Sequence, residues 1–248
     1  MIATAKARSR FSPIINAEAL EGLPEPVQRY LTFSGVIGKP WIDTVRLKYS
    51  GRFRTGADKP WMPLNVEQFY TTNPPGFLWK ARFRMFGLPL MRATDVYKDG
   101  HGHMHGKILG LFTVADGKGD EVDQGTAIRF LNEMTWFPTA YLGDNITWSE
   151  VDNHAADVTL HDGPHHVSAR MYFDDAGRLL NFIAERYGDF GGKYTMASWA
   201  TPFTEYGTFG GLRIPIKGLG VWQLHSGDLS YVDVCLNEVE YNVPLEAF

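Results

Sequence analysis

The spacing of apolar and polar residues changes period twice along this chain, and those changes outline its elements. Residues 1–22 read as an N-terminal extension. In "LPEPVQRYL" Pro24 and Pro26 frame a helix start, Glu25 stands in the first turn, and Val27, Tyr30 and Leu31 mark one apolar face, so a short helix is predicted from Pro24 to Phe33. After "GKP" the period becomes two. Val45, Leu47, Tyr49, Gly51 and Phe53 alternate with Arg46, Lys48, Ser50, Arg52 and Arg54, the pattern of a strand with one wet and one buried face. "PLNVEQFYTT" and "GFLWKARFRMFG" follow the same rule, the latter placing Phe77, Trp79, Ala81, Phe83 and Met85 on one side. "LMRATDVYKDGHGHMHGKILGLFTV" reads as a hairpin, because Asp99-Gly100 supplies the positive backbone dihedrals of a tight reversal.

Alternation then stops. "GDEVDQGTAIRFLNEMTWFPTAYLG" sets Ala127, Phe130, Leu131 and Met134 at helical spacing, with Pro138 as the stop, and predicts one amphipathic helix among the strands. From "NITWSEVD" to "LSYVDVCLNEVEYNV" strands resume, punctuated by Asp-Gly, Asp-Asp-Ala-Gly, Gly-Gly and Ser-Gly-Asp turns. About ten or eleven antiparallel strands result, and a sheet that long curls. The predicted fold is mainly β: a strongly curved antiparallel meander, an open or half barrel, with the central helix docked on its concave face and a short N-terminal helix.

Composition adds limits. The 248 residues are 44 % hydrophobic and 14 % aromatic, enough for one β-barrel-like domain spanning 1–248. A net charge of -4, with Lys and Arg scattered, gives no footprint for nucleic acid or an anionic membrane. Cys235 is a lone thiol in an alternating strand, which rules out an internal disulfide or a cysteine-based zinc site. No uncharged run approaches the roughly 20 residues that span a bilayer, and no export signal is readable, so a cytoplasmic location is expected. There is no Walker loop, dinucleotide fingerprint, Gly-x-Ser-x-Gly elbow or His-Glu-x-x-His helix, and no cofactor is expected.

Candidate chemistry sits on the central helix and the strands around it. Arg129, Asn132, Glu133 and Trp136 form one helical stripe. If exposed, Arg129 and Glu133 make an ordinary surface pair. If turned to a cavity, Glu133 is a candidate general base and Arg129 a group for developing negative charge. Asp95 and Tyr97 share a strand face, and an inward Asp95 needs an arginine. Arg186 is the inward member of Glu185-Arg186, since Leu180, Phe182 and Ala184 share its parity, and Glu133 or Asp95 is its expected partner. His101, His103 and His105 have strand spacing for a metal, but the glycines of that run argue for a turn that scatters the rings; His103 and His105 are the weak candidates there. Trp79, Phe83, Trp136, Trp199, Tyr206, Arg213 and Trp222 are the candidate substrate-binding set, although Tyr206 and Arg213 also bracket a "GTFGG" turn.

"LPEPVQRYL", "FLWKARF", "RFLNEMTWFPTAYL" and "GGLRIPIKGLGVWQ" together resemble an uncharacterised bacterial family with a proline-framed N-terminal helix, a central R-[FY]-L-x-E-x-x-W-x-P helix and a late G-x-R-x-P segment. The resemblance runs from about Leu23 to Asn242. The family is similar in shape to the half-barrel lipoprotein carriers of the bacterial envelope, whose relatives often carry an N-terminal membrane anchor that is not readable here. Two functions are consistent with these readings. One is a cofactor-independent lyase or isomerase acting by acid–base chemistry on a small hydrophobic, aromatic molecule, with Glu133, Arg129, Asp95, Tyr97 and Arg186 as its catalytic group. The other is a non-catalytic carrier for a lipid or other apolar ligand. Self-association into a homo-oligomer is compatible with either.

Overall fold

Among the described residues, alternation is realised as fourteen antiparallel strands in one sheet. They are β1 (Thr44–Phe53), β2 (Met62–Thr72), β3 (Pro75–Met85), β4 (Leu88–Lys98), β5 (His101–Ile108), β6 (Phe112–Gly117), β7 (Ile146–Asp152), β8 (Ala155–Asp162), β9 (His165–Phe173), β10 (Leu179–Asp189), β11 (Tyr194–Ala200), β12 (Phe203–Phe209), β13 (Leu212–Leu224) and β14 (Gly227–Tyr241). The computed structural model describes residues 14–85 and 87–244; residues 1–13 of the expected extension, Phe86 and the Met85 side chain lie outside the described residues.

Fourteen strands exceed the expected ten or eleven, in part because punctuation inside apolar runs hides two of them. Leu109 and Gly110 adopt positive φ and split the second arm of the expected hairpin into β5 and β6. Thr201-Pro202 splits "KYTMASWATPFTEYG" into β11 and β12, which pair one after the other with the long β13. The spatial order is β6-β5-β4-β3-β2-β1-β14-β13-β11-β10-β9-β8-β7, two meanders joined where β1 pairs β14. Register shifts at Lys48/Tyr49, Leu179/Asn181 and Gly220/Val221 mark bulges that sharpen the local twist and help the sheet to curl.

Helix α1 (Glu25–Ser34) follows the sequence reading, with Val27, Tyr30 and Leu31 buried and Gly35 in the left-handed conformation that closes it. Helix α2 (Asp120–Glu133) differs from expectation in two ways. It ends at Glu133 and continues as 3-10 turns, Met134–Trp136 and Pro138–Leu142, so Pro138 begins the last turn instead of stopping the helix. It is also buried on nearly all sides, Asn132 and Glu133 included, because the sheet wraps it: β3, β4 and β5 touch it from one side, β9 and β10 from the other. The helix comes closest at Gly102 of β5, where an added Cβ would stand 2.2 Å from Thr126 Oγ1 and 2.8 Å from the Val122 carbonyl oxygen. Glycine is required there for close approach, so the turn expected at this run is in fact strand. Across the gap from β4 to β8 the Tyr97 hydroxyl donates to Asp162 Oδ2 at 2.6 Å, and the His101 and His165 rings lie 6.4 Å apart.

Burial along the inward faces shows where this half barrel is open. Val45, Leu47, Tyr70, Phe77 and Tyr97 are buried towards one end of β1 to β4. Towards the other end the inward Phe53, Met91, Ala93, Leu229 and Tyr231, with Met104 midway, are only half-buried, although Leu64, Ala81 and Phe83 between them are buried. At that end the β3–β4 and β5–β6 turns carry exposed Leu88, Leu109, Leu111 and Phe112.

Candidate functional site

Strand register assembles the charged group. Gln68 on β2 stands opposite Trp79 on β3, Trp79 opposite Asp95 on β4, and Asp95 opposite Met104 on β5, so all four face α2. From the helix Arg129 enters this row. Its Nε donates to Glu133 Oε1 at 2.8 Å, Nη1 to Asp95 Oδ2 at 2.8 Å and Nη2 to Gln68 Oε1 at 3.4 Å. The guanidinium lies 5.0 Å from the Phe77 ring centroid and 4.9 Å from that of Trp79, held by cation–π attraction as well. Glu133 Oε2 accepts from Gln68 Nε2 at 2.8 Å and from the Tyr70 hydroxyl at 3.0 Å, and Trp79 Nε1 donates to the Tyr49 hydroxyl at 2.6 Å. Of the two readings of the Arg129–Glu133 stripe, the interior one is observed.

Burial and mutual charge set the protonation states. Burial pushes the Asp95 carboxyl up to about 6, against the downward pull of Arg129 and then Arg186. Its Oδ1 is buried with no hydrogen-bond partner among the described residues. Burial also raises Tyr70, and the Glu133 charge adds to that, so the phenol stays a donor. Burial alone would lower Arg129, but Glu133, Tyr49 and Asp95 hold it well above its ordinary value. The pair is therefore a carboxylate–guanidinium lock in which both Glu133 oxygens are engaged. Glu133 is buried and three of its roughly four lone-pair sites are taken by Arg129, Gln68 and Tyr70, which disfavours it as a general base.

The remaining residues singled out from the sequence are spread more widely. Tyr97 donates to Asp162 across the gap, and among the described residues it forms no hydrogen bond with the lock. Arg186 does point inward, but a bulge at Leu179/Asn181 changes the parity, so Leu180 is 45 % exposed while Phe182 and Ala184 are buried. Arg186 forms no ion pair with Glu133 or Asp95; its Nε donates to the Gly125 carbonyl at 2.9 Å and its guanidinium lies over Trp199 and Trp222. Trp199 and Trp222 are opposite one another on β11 and β13, and Phe83 packs on Phe53 and Trp79, all on the inward face. Trp136 donates to the Pro215 carbonyl at 3.2 Å and packs against Tyr49, deep in the closed end.

Tyr206 and Arg213 are brought together with α1 instead, both against the Phe33 ring, beside an open groove of about 520 Å³ that Glu25 and Arg29 also line. Gly210 and Gly211 between them form the expected turn. Because Gly102, Met104 and Gly106 take the inward side of β5, His101, His103 and His105 lie on the other face. His101 pairs with Asp123 and His103 with Asp116, and among the described residues no group of three or more His, Cys, Asp or Glu is placed to hold a metal ion.

Sequence reasoning missed Gln68, Tyr70, Tyr49 and Tyr231. A signal existed for Gln68, a polar residue on the apolar parity of "PLNVEQFYTT", which only an interior partner makes tolerable. Tyr231 is turned inward next to a register shift in β14, which alternation alone does not reveal.

A curled antiparallel sheet closed on one side by an ion-locked helix defines the class to which this molecule belongs, a β half barrel with an enclosed helix. The chain belongs to the family described as "Family of unknown function (DUF6544)", whose model matches residues 13–234. Among solved structures it is similar to a LolA superfamily protein from Nitrosomonas europaea, at 8 % identity over 89 % of this chain and 96 % of that one, with a TM-score of 0.51. A DUF1329 family protein from Desulfovibrio piger aligns over 90 % of this chain and 95 % of its own, at 8 % identity and a TM-score of 0.44. The first likeness is one of fold. No curated protein matches the sequence. No helix among the described residues is long and apolar enough to cross a membrane.

Proposed function

We propose that this protein binds a small apolar or amphiphilic molecule at the open end of its half barrel, as a carrier or binding protein, while its buried charges lock α2 into the sheet. The observation that carries this reading is the half-buried inward wall of Phe53, Met91, Ala93, Met104, Leu229 and Tyr231. Ala81, Ala93 and Gly106 stand side by side across β3, β4 and β5, so this part of the wall is built from small residues. Apolar surface left wet in this way is stabilised by an apolar guest. The fold shared with a LolA superfamily protein supports the same reading, as do the three hydrogen bonds that tie Glu133 to Arg129, Gln68 and Tyr70.

The test uses N-phenyl-1-naphthylamine, a neutral probe that fluoresces in apolar surroundings. Saturable binding is expected to wild type, and Ala93→Trp, which puts a large ring on this wall, is expected to weaken it by about tenfold or more, with the circular dichroism spectrum retained. Absence of saturable binding, or equal binding by a folded Ala93→Trp protein, rules the reading out. A lyase or isomerase reading keeps support from one place, Asp95, whose raised carboxyl and unpartnered Oδ1 suit a proton carrier better than Glu133 does. On that reading Asp95→Asn abolishes turnover of a bound substrate without releasing it; a binding protein shows no turnover to lose.

A further inference from the structure

Two hydrogen-bond donors meet on the inward face without a protein acceptor among the described residues. Arg186 is half-buried on β10, its guanidinium carbon 4.5 Å from the Trp199 ring centroid and 5.5 Å from that of Trp222. Nε is engaged by the Gly125 carbonyl and Nη1 reaches the Tyr231 hydroxyl at 3.4 Å, while Nη2 has no protein acceptor among the described residues. The Tyr231 hydroxyl oxygen accepts from Trp199 Nε1 at 3.2 Å and from Arg186, and its own proton has no protein acceptor among the described residues. A carboxylate would supply what is missing, because a planar group with two oxygens can take Nη2 and Nη1 end-on and the Tyr231 proton beside them. Around this point the surface is apolar: Tyr231 packs on Phe53 at 6.0 Å and stacks on Trp222 at 5.9 Å, and Phe53 packs on Phe83.

Resting on the binding reading above, we propose that the ligand is an anionic amphiphile whose carboxylate is held by Arg186 and Tyr231 while its apolar tail lies along the Phe53, Ala93 and Met104 wall. Arg129, by contrast, has its donors turned to Glu133, Asp95 and Gln68, so Arg186 is the guanidinium on this face with capacity for a ligand. Trp199 and Trp222 hold its plane in place, which limits the entropy lost when an anion docks.

Displacement of N-phenyl-1-naphthylamine by dodecanoate and by 1-dodecanol, which share a tail length and differ in the head, separates this inference from the reading beneath it. In wild type, dodecanoate is expected to displace the probe at about tenfold lower concentration than dodecanol, the scale of one charge-assisted hydrogen-bonded pair. In Arg186→Gln that ratio is expected to fall to about one, and in Tyr231→Phe to fall part of the way. Equal displacement by the two compounds in wild type overturns the carboxylate anchor and leaves the binding reading standing, and it needs no variant to fold. A tenfold preference that survives in Arg186→Gln overturns the residue assignment. Dodecyl phosphate displacing the probe at lower concentration than dodecanoate overturns the choice of a carboxylate. Failure of the neutral probe to bind at all removes the underlying binding reading.

Discussion

Replacing Glu133 by glutamine keeps the side chain's size and removes one charge from a buried pair. Arg129 then keeps Asp95 as its single ionic partner, and the cost expected for breaking a buried pair on one side is on the order of 3 kcal/mol. Urea denaturation of Glu133→Gln should show that loss, and Glu238→Gln, whose exposed partner is Lys48, should show far less. Equal small losses would mean that the lock does not hold the helix. Asp95 gives a second test through pH. Its folded carboxyl is raised to about 6, above the ordinary carboxylate value, so between these two values the folded state binds more protons than the unfolded one. Its contribution is therefore fully present in acid and is lost as pH rises through about 6. Asn has no such dependence. The stability of Asp95→Asn relative to wild type should then rise between about pH 4.5 and pH 7.5; a difference that stays flat or falls would contradict the assignment.

At the scale of elements, the contact between α2 and β5 depends on one missing side chain. Gly102→Ala places a methyl against Thr126 Oγ1 and the Val122 carbonyl and is expected to lower stability by about 2 kcal/mol, as overpacking does. Thr126→Ala should not restore it, because the Val122 carbonyl is backbone and cannot step aside. Full rescue in the double variant, measured by thermal unfolding, would show the clash to be with the threonine alone. The elements themselves were largely legible, since alternation in β1 and β3 and the proline-framed start of α1 are local patterns written in residue type. What was not legible depends on partners distant in sequence. The polar stripe of α2 looks like a wet face until β2 and β4 supply Gln68, Tyr70 and Asp95, and the parity of β10 holds only up to a bulge that Leu180 does not announce. Gly102 looked like a turn residue because its real constraint is a helix twenty residues further on.

Over the whole molecule, two meanders joined at β1–β14 curl round α2, and at one end the rings of Tyr70, Phe77, Tyr97, Phe130 and Phe137 pack against one another beside a cleft of about 420 Å³ that Trp41, Thr72, Phe130 and Met134 line. The open end keeps an apolar wall beneath exposed leucines on the β3–β4 and β5–β6 turns. Curvature was foreseeable from strand number, whereas the row of small residues Ala81, Ala93 and Gly106 arises only from the pairing of three strands. Methionines report on both ends: Met91 and Met104 line the open wall, and Met134 and Met171 are buried in the closed core. The most direct measurement is therefore a titration of methyl-13C-methionine protein with N-phenyl-1-naphthylamine, followed by NMR. Saturable shifts of the Met91 and Met104 methyls, with Met134 and Met171 unmoved, are the expected result. Shifts confined to Met134 and Met171, or none at Met91 and Met104 at saturating probe, would contradict a binding site at the mouth.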